Sequence, residues 1–428
     1  MNKKLSIKIL TLSLFIFLLT PIANVALAAT EPTIVSEAAI VVDYETGEII
    51  YEKNANEKMY LASTTKIMTA LLFAEKAKKS DQITYTEDAL AQPPYTMNSE
   101  QMLPYGKSFK VGDTLDADTV MKELLLFSGN DTAIMVADYV GGSVENFVNM
   151  MNEKATELGL KNTKFGNPNG LPINGVDVNQ STAYEMTILT KAAFQNDWIR
   201  ETMQTASAQV VLPGNTNINI ENRNSELNKN GNIGGKTGVT DAAGTCFAGV
   251  YERNDKKYLS VVLKCDRNDN SMRFTDLDAM LDYTEGAEKS VYKKSGEKVG
   301  TVELEYKLFG FFGPTKTIKA PIILSEDALI YNTPTNTAEA NITFNTSNKS
   351  AWNVASENKV NLTLSIRDYS TKVKGEINIS TSKILKANIG IYIATIAIIL
   401  VVLVLIIIII KLISSSKRNK RKNYYRRR

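Results

Sequence analysis

Apolar and polar positions change rhythm several times along the chain, and each rhythm predicts a different element. The chain opens with Lys3, Lys4 and Lys8, an apolar run from Ile9 to about Leu19, Pro21 and then Ala26-Leu27-Ala28. A basic start, a short apolar middle and an A-x-A end describe a secretory signal peptide over residues 1–28, cut before Ala29. The run is too short to span a bilayer comfortably, which disfavours an N-terminal anchor. Ala38-Ala39-Ile40-Val41-Val42-Asp43, Glu45-Thr46-Gly47 and Glu48-Ile49-Ile50-Tyr51 read as a β-hairpin around a glycine turn. From Ser63, the apolar positions Ile67, Met68, Leu71, Leu72 and Ala74 recur at helical spacing. Gln92–Gly112 carries glycine and proline and predicts an irregular surface stretch.

A second helix over Asp116–Phe127 ends at Ser128-Gly129-Asn130. Asp131 is placed to cap the next, which runs through Val140 to the stop at Gly141-Gly142. Asn146–Leu158 is helical and closed by Gly159, and Thr182-Ala183-Tyr184-Glu185 is a capping box before a helix through Phe194. Strand patterns then take over at Ile233–Gly238, Cys246–Tyr251 and Tyr258–Leu263, followed by a helix over Asp276–Tyr283. Strands, helices, strands and a last helix predict an α+β domain over residues 29–287, an antiparallel sheet flanked by helices. Residues 290–380 alternate, as in Thr301–Tyr306 and Val360–Ile366, and predict a small all-β domain with a short linker after it.

Ile389–Ile410 is almost unbroken Ile, Leu, Val and Ala; its 22 residues, as a helix, reach about 33 Å and predict one transmembrane helix. Nine lysines and arginines follow in residues 411–428, a basic tail that belongs on the cytoplasmic side. The expected topology is a single-pass membrane protein with its body outside the cell. Charge must be read with the ends removed: the net +3 hides a body of 37 basic against 46 acidic groups. An acidic exterior body does not look like a nucleic-acid binder. Cys246 and Cys265, the only cysteines, flank a predicted turn near Asn254-Asp255-Lys256. A cross-strand disulfide and two buried free thiols are both open.

The chain contains no histidine. That excludes Ser-His-Asp and Cys-His arrangements and any His-ligated zinc site, so a general base must come from Lys, Tyr, Asp or Glu. No cofactor or metal is expected. Ser63 and Lys66 lie one helical turn apart on one face, at the positive end of the helix dipole. Burial and a second cation nearby would lower the Lys66 pKa enough for it to take the serine proton. Ser-x-x-Lys alone is weak, Ser128-Gly129-Asn130 alone fits a loop with a helix cap, and Lys236-Thr237-Gly238 could be any strand end. In order, 65 and 108 residues apart and each in a suitable local setting, the three carry weight.

With these motifs the chain resembles the D-alanyl-D-alanine carboxypeptidases, low-molecular-mass penicillin-binding proteins of the S11 peptidase type. The resemblance covers about Ser36–Glu285 and includes Ala62–Ala70, Ser128–Ala133, Leu158–Phe165, Asn169-Gly170-Leu171-Pro172 and Gly235–Thr240. The segment after Ser290 is similar to that family's C-terminal associated domain. The resemblance implies Ser63 as acylated nucleophile, Lys66 as general base and Ser128 as proton relay to the leaving D-alanine. It implies Asn130 as a holder of substrate amide and Lys66, and Lys236 as a source of positive potential. Thr237 would bind the terminal carboxylate, Gly238 would lie on the substrate-binding strand, and the N–H groups of Ser63 and Val239 would form the oxyanion hole. The implied partners are peptidoglycan stem peptides ending in D-Ala-D-Ala and, as covalent inhibitors, β-lactam antibiotics.

Two departures stand out: Asn179 or Gln180 where relatives often carry histidine, and a spanning helix where some use an amphipathic one. A β-lactamase on the same fold would need Glu in an E-x-x-L-N stretch, and Asn224-Ser225-Glu226-Leu227-Asn228 has Asn there. A D,D-endopeptidase or transpeptidase is the less favoured use of the same site. A catalytically silent wall scaffold would have no need of Ser63, Lys66, Ser128, Asn130 and Lys236 together.

Overall fold

The computed structural model describes residues 30–93, 109–345 and 349–425. The expected signal peptide, residues 1–28, most of the expected irregular stretch and the last three residues of the basic tail lie outside the described residues. The chain divides into two compact units, one of residues up to Glu45 with Ile49–Glu288, the other of Thr46–Glu48 with Lys289–Arg428.

In the first unit, β1 (Ala38–Asp43) and β2 (Ile49–Lys53) form the expected hairpin. Helix α1 (Lys66–Lys76), α2 (Ala117–Lys122), α3 (Asn130–Gly141), α4 (Val144–Glu157), α5 (Ala183–Gln195) and α6 (Asp197–Met203) follow. Then come the β3 (Ser207–Leu212)–β4 (Thr216–Glu221) hairpin, β5 (Asn232–Thr240), β6 (Gly244–Arg253), β7 (Lys256–Cys265) and α7 (Met272–Gly286). The main sheet runs β2-β1-β7-β6-β5, antiparallel throughout, with Val41 opposite Ser260 and Ala248 opposite Lys236. Helices α5 and α7 pack on its strands, which are buried at nearly every position of β1, β6 and β7. Covered on both faces, these strands read as continuous apolar runs rather than as alternation. β5 is an edge strand.

One local expectation changes. Gly129, not Asp131, stands at the N-cap of α3; the Asp131 carboxylate accepts instead from the Tyr85 hydroxyl at 3.1 Å and the Thr132 N–H at 3.0 Å. A buried donor reaching it from another element outcompetes a local cap. The β3–β4 hairpin went unread, although its buried Val210, Leu212 and Ile220 alternate with exposed neighbours around Pro213-Gly214-Asn215. The cysteines are unbonded and buried. A bulge between Thr245 and Phe247 sets Cys265 opposite Thr245 instead of Cys246, and the two thiols face different acceptors, the Ala243 carbonyl and Asp276.

The second unit has a sheet of β8 (Lys298–Lys307), β9 (Thr315–Leu324), β10 (Asn341–Thr343), β11 (Lys359–Ile366) and β12 (Tyr369–Ile377), in the order β8-β9-β12-β11-β10. Val302, Leu304, Tyr306, Val360, Leu362 and Leu364 point to one core, and the intervening polar residues face outward. Two short helices, Pro334–Glu339 and Ala351–Ser356, interrupt what was expected to be all strand.

The stretch expected as a linker is a helix, Thr381–Ala387, capped by Ser380, and it ends on Asn388. Asn388 is buried; its amide donates to the Tyr306 hydroxyl at 2.7 Å and the Ile384 carbonyl at 2.9 Å, and its oxygen accepts from Lys316 at 3.0 Å. From there the last helix runs Ile389–Tyr425. It is the one helix among the described residues long and apolar enough to cross a membrane, and its apolar side chains are exposed along their whole length.

Candidate active site

The site begins with a strained turn. Ala62–Thr65 form a single 3-10 turn, and the α-helix starts only at Lys66. Ser63 thus sits just outside the helix it was expected to open. Ala62 has φ +46°, a left-handed conformation that costs a side-chain-bearing residue about 1 kcal/mol. Two glycines press on this turn backbone to backbone. A Cβ at Gly238 would lie 2.8 Å from the Leu61 carbonyl and 2.9 Å from Ser63 N, and one at Gly170 would overlap the Ala62 carbonyl. Only glycine permits both approaches. The contact with β5 brings the backbone of Ser63 beside the Thr237-Gly238-Val239 stretch.

Lys66 is fully buried. Its Nζ donates to Ser63 Oγ at 3.0 Å, Asn130 Oδ1 at 2.9 Å and the Asn169 carbonyl at 2.6 Å. Those three acceptors match the three hydrogens of an ammonium. Asn130 Oδ1 and the Asn169 carbonyl can only accept. A neutral amine therefore spends its two hydrogens on them and is left with its lone pair toward Ser63. The Lys66 pKa is lowered from 10.5 to about 7, first by burial and then by Arg223, with Asp131 opposing the shift. An amine half neutral near pH 7 in contact with an alcohol can act as a base.

Ser128 follows a π-helical turn, Glu123–Phe127, and takes φ +72°, which ends the helix and turns its hydroxyl into the cleft. Lys236, buried on β5, donates to Ser128 Oγ at 2.9 Å and to the Thr237 carbonyl at 3.0 Å. Its pKa falls well below the usual lysine value, through burial and through Lys66, Arg223 and Arg273. Ser63, Ser128, Asn130, Thr237, Gly238 and Val239 line one cleft of about 610 Å³. All the residues expected at the site from sequence are therefore brought together.

Others went unread. Asn169 belongs to a quoted motif, but its carbonyl had no expected part. Asn179 accepts at Oδ1 from the N–H groups of Gly166 and Asn167, and donates at Nδ2 to Thr65 Oγ1 and the Asn167 carbonyl. It ties the 166–170 loop to the Ser63 turn. Arg223 stacks on Phe127 at 4.6 Å and lines the cleft, as does Arg273, which is buried over the Phe274 ring. Asn224, where a β-lactamase would need Glu, is buried and donates to Asn232 Oδ1.

A Ser–Lys pair at a cleft between a helical layer and the edge of an antiparallel sheet is the architecture of penicillin-binding serine enzymes. The family model of the D-alanyl-D-alanine carboxypeptidases, Peptidase S11, matches residues 25–267, and the chain belongs to that family. It is 34% identical over 235 residues to the D-alanyl-D-alanine carboxypeptidase DacF of Bacillus subtilis, covering 53% of this chain and 57% of that protein. To DacC of Escherichia coli it is 35% identical over 279 residues, 63% of this chain and 66% of that one. Each match spans less than two thirds of the relative's length. Penicillin-binding protein D2 of Listeria monocytogenes, solved with cefotaxime bound, superposes with a TM-score of 0.52 at 26% identity, over 60% of this chain and 99% of that one. A mutant of the Streptomyces K15 DD-transpeptidase gives 0.53 at 26%, over 59% and 99%.

Proposed function

We propose that the protein is a membrane-anchored serine D-alanyl-D-alanine carboxypeptidase that trims the terminal D-alanine from peptidoglycan pentapeptides. The observation that carries this reading is the Lys66 amine held by three acceptors with Ser63 Oγ among them. Lys66 takes the Ser63 proton as Oγ attacks the carbonyl of the penultimate D-alanine. The N–H groups of Ser63 and Val239 receive the oxyanion. Ser128 Oγ accepts from Lys236, which leaves its own hydrogen for the departing amine; a proton from Lys66 replaces it. D-alanine leaves, and water deprotonated by Lys66 attacks the Ser63 ester and restores the enzyme.

Thr237 and the cationic surroundings supplied by Arg223 and Arg273 suit the substrate's terminal carboxylate, and the edge strand β5 suits an extended peptide. β-Lactams would acylate Ser63 in the same way. Asn130 holds Lys66 and the substrate amide. The resemblance to a DD-transpeptidase favours one second reading, transfer of the acyl group to an amine.

The body would lie outside the cell behind a cleaved signal peptide, residues 1–28. Residues 29–287 would form the catalytic domain and 290–380 an associated β domain acting as spacer. Ile389–Ile410 would span the membrane and 411–428 remain cytoplasmic. The purified chain is expected to release D-alanine from a pentapeptide and to be labelled by penicillin at Ser63. Ser63→Ala should abolish both, and a mass-mapped adduct on any other residue would overturn the assignment. Adding an amine acceptor separates hydrolysis from transfer: a new amide product supports transfer, free tetrapeptide alone hydrolysis.

A further inference from the structure

The β8–β9 hairpin of the second unit ends in Leu308-Phe309-Gly310-Phe311-Phe312-Gly313-Pro314, and this tip is unlike any other exposed loop described in the chain. Phe311 is 89% exposed and Phe312 55% exposed. The loop is nevertheless built: Phe309 N–H donates to the Phe312 carbonyl, Leu308 N–H to the Pro314 carbonyl, and Gly310 and Gly313 take positive φ to close the turn. A folded loop that holds phenylalanine rings in water exposes apolar surface that a soluble protein hides.

Its neighbour explains the arrangement. Tyr392, in the first turn of the Ile389–Tyr425 helix, donates its hydroxyl to the Leu308 carbonyl at 2.6 Å, and the Phe309 ring meets the Tyr392 ring at 5.8 Å. Phe309 stacks on Phe312 at 5.0 Å, and Phe312 meets Phe311 at 5.0 Å. An unbroken series of rings therefore leads from the start of the apolar helix to the hairpin tip. Lys307 and Lys316 stand at the base of the tip, where anionic headgroups would lie. Aromatic rings gather at the membrane interface because an apolar body and a polar margin suit that depth.

We propose that Phe311 and Phe312 dock into the outer interfacial layer of the lipid bilayer, beside the point where the helix enters. The proposal rests on the reading that Ile389–Ile410 spans a membrane. The tip then gives the β unit a second hold on the lipid, and the rings that are exposed in water become covered.

The full chain, reconstituted in vesicles of phosphatidylcholine and phosphatidylglycerol, tests this with an environment-sensitive dye on single introduced cysteines; Cys246 and Cys265 are buried and stay unlabelled. Phe311→Cys reports on the tip. Ser370→Cys reports on exposed sheet, since the β9–β12 register places it far from the hairpin end, and Leu403→Cys reports on the span. Nitroxide-bearing lipid is expected to quench the Phe311 label at least about two-fold more than the Ser370 label, with iodide showing the reverse order. A Phe311 label that behaves like Ser370, while Leu403 is quenched by lipid, overturns the docking and leaves the span standing. A Leu403 label open to iodide overturns both. Protection of Phe311 from iodide without lipid quenching means that protein covers the tip, and it too overturns the proposal.

Discussion

An ordinary lysine is an ammonium ion at neutral pH, and Lys66 departs from that state because it lies in a dry pocket with Arg223 near it. The proposed chemistry needs the neutral amine, so kcat/KM should rise as pH passes through about 7. Arg223→Ala removes a positive neighbour and lets the Lys66 pKa climb, so the acidic limb of the pH profile should move to higher pH. A drop in rate without such movement would assign Arg223 to substrate binding alone. Glu123 presents the opposite case: it is fully buried and, among the described residues, neither carboxyl oxygen has a hydrogen-bond partner. Burial first, then Asp131 and Asp116, raise its pKa well above the usual 4.5.

A raised folded-state pKa means the native state holds a proton that the unfolded state releases. Its stabilising effect is complete below about pH 4.5 and is lost as pH rises. Glu123→Gln should therefore flatten the fall in stability above pH 4.5 and stabilise by roughly 1–3 kcal/mol at pH 8 in urea titrations. The grouping of Ser63, Lys66, Ser128, Asn130 and Lys236 was legible because each sits in a short motif. Arg223, Arg273 and the Asn169 carbonyl were not, because their importance comes from partners outside any short motif, as in Lys66 to Asn169, 103 residues apart.

At the level of elements, the placement of Ser63 is a matter of backbone approach. β5 and the 166–170 loop close on its turn from two directions, and each does so at a glycine. Gly170→Ala meets both a positive φ of +86° and the Ala62 carbonyl. We expect it to lower kcat/KM at least about 100-fold and to destabilise by about 1–3 kcal/mol, measured by single-substrate kinetics and thermal melts. An intact rate would show that the turn tolerates displacement.

The elements themselves were largely readable, since helical spacing and continuous apolar strands each carry one period. The β3–β4 hairpin escaped because half its positions face water, so it lacks the continuous apolar run that marks β1 and β2. The π-helical turn at Glu123–Phe127 escaped because nothing in Glu123-Leu124-Leu125-Leu126-Phe127 separates it from an α-turn. Asp131 misled because a cap is judged from near neighbours, whereas Tyr85 reaches it from another segment.

For the whole molecule, the chain is two compact units and one long apolar helix. A chain ended after Asn388 keeps every described strand of both units and loses only that helix with its basic tail. It should be soluble without detergent and should release D-alanine from a soluble pentapeptide within about two-fold of the full chain. Aggregation without detergent would mean that apolar surface outside the helix, the Phe311 tip included, also needs lipid. The long apolar helix was legible from the sequence, because an uninterrupted apolar run needs no tertiary contact to be recognised. The character of the join between sheet and helix was not, since it depends on Asn388 meeting Tyr306 and Lys316 from strands far earlier in the chain.

That join has a mechanical consequence. In the membrane-spanning reading, a helix fastened to its sheet through a buried asparagine with three hydrogen bonds would have no swivel where it leaves the lipid. A tilt forced on the helix by a thinner or thicker bilayer would then be passed on to the sheet as a lean, and lipid composition would be a lever on the posture of the β unit.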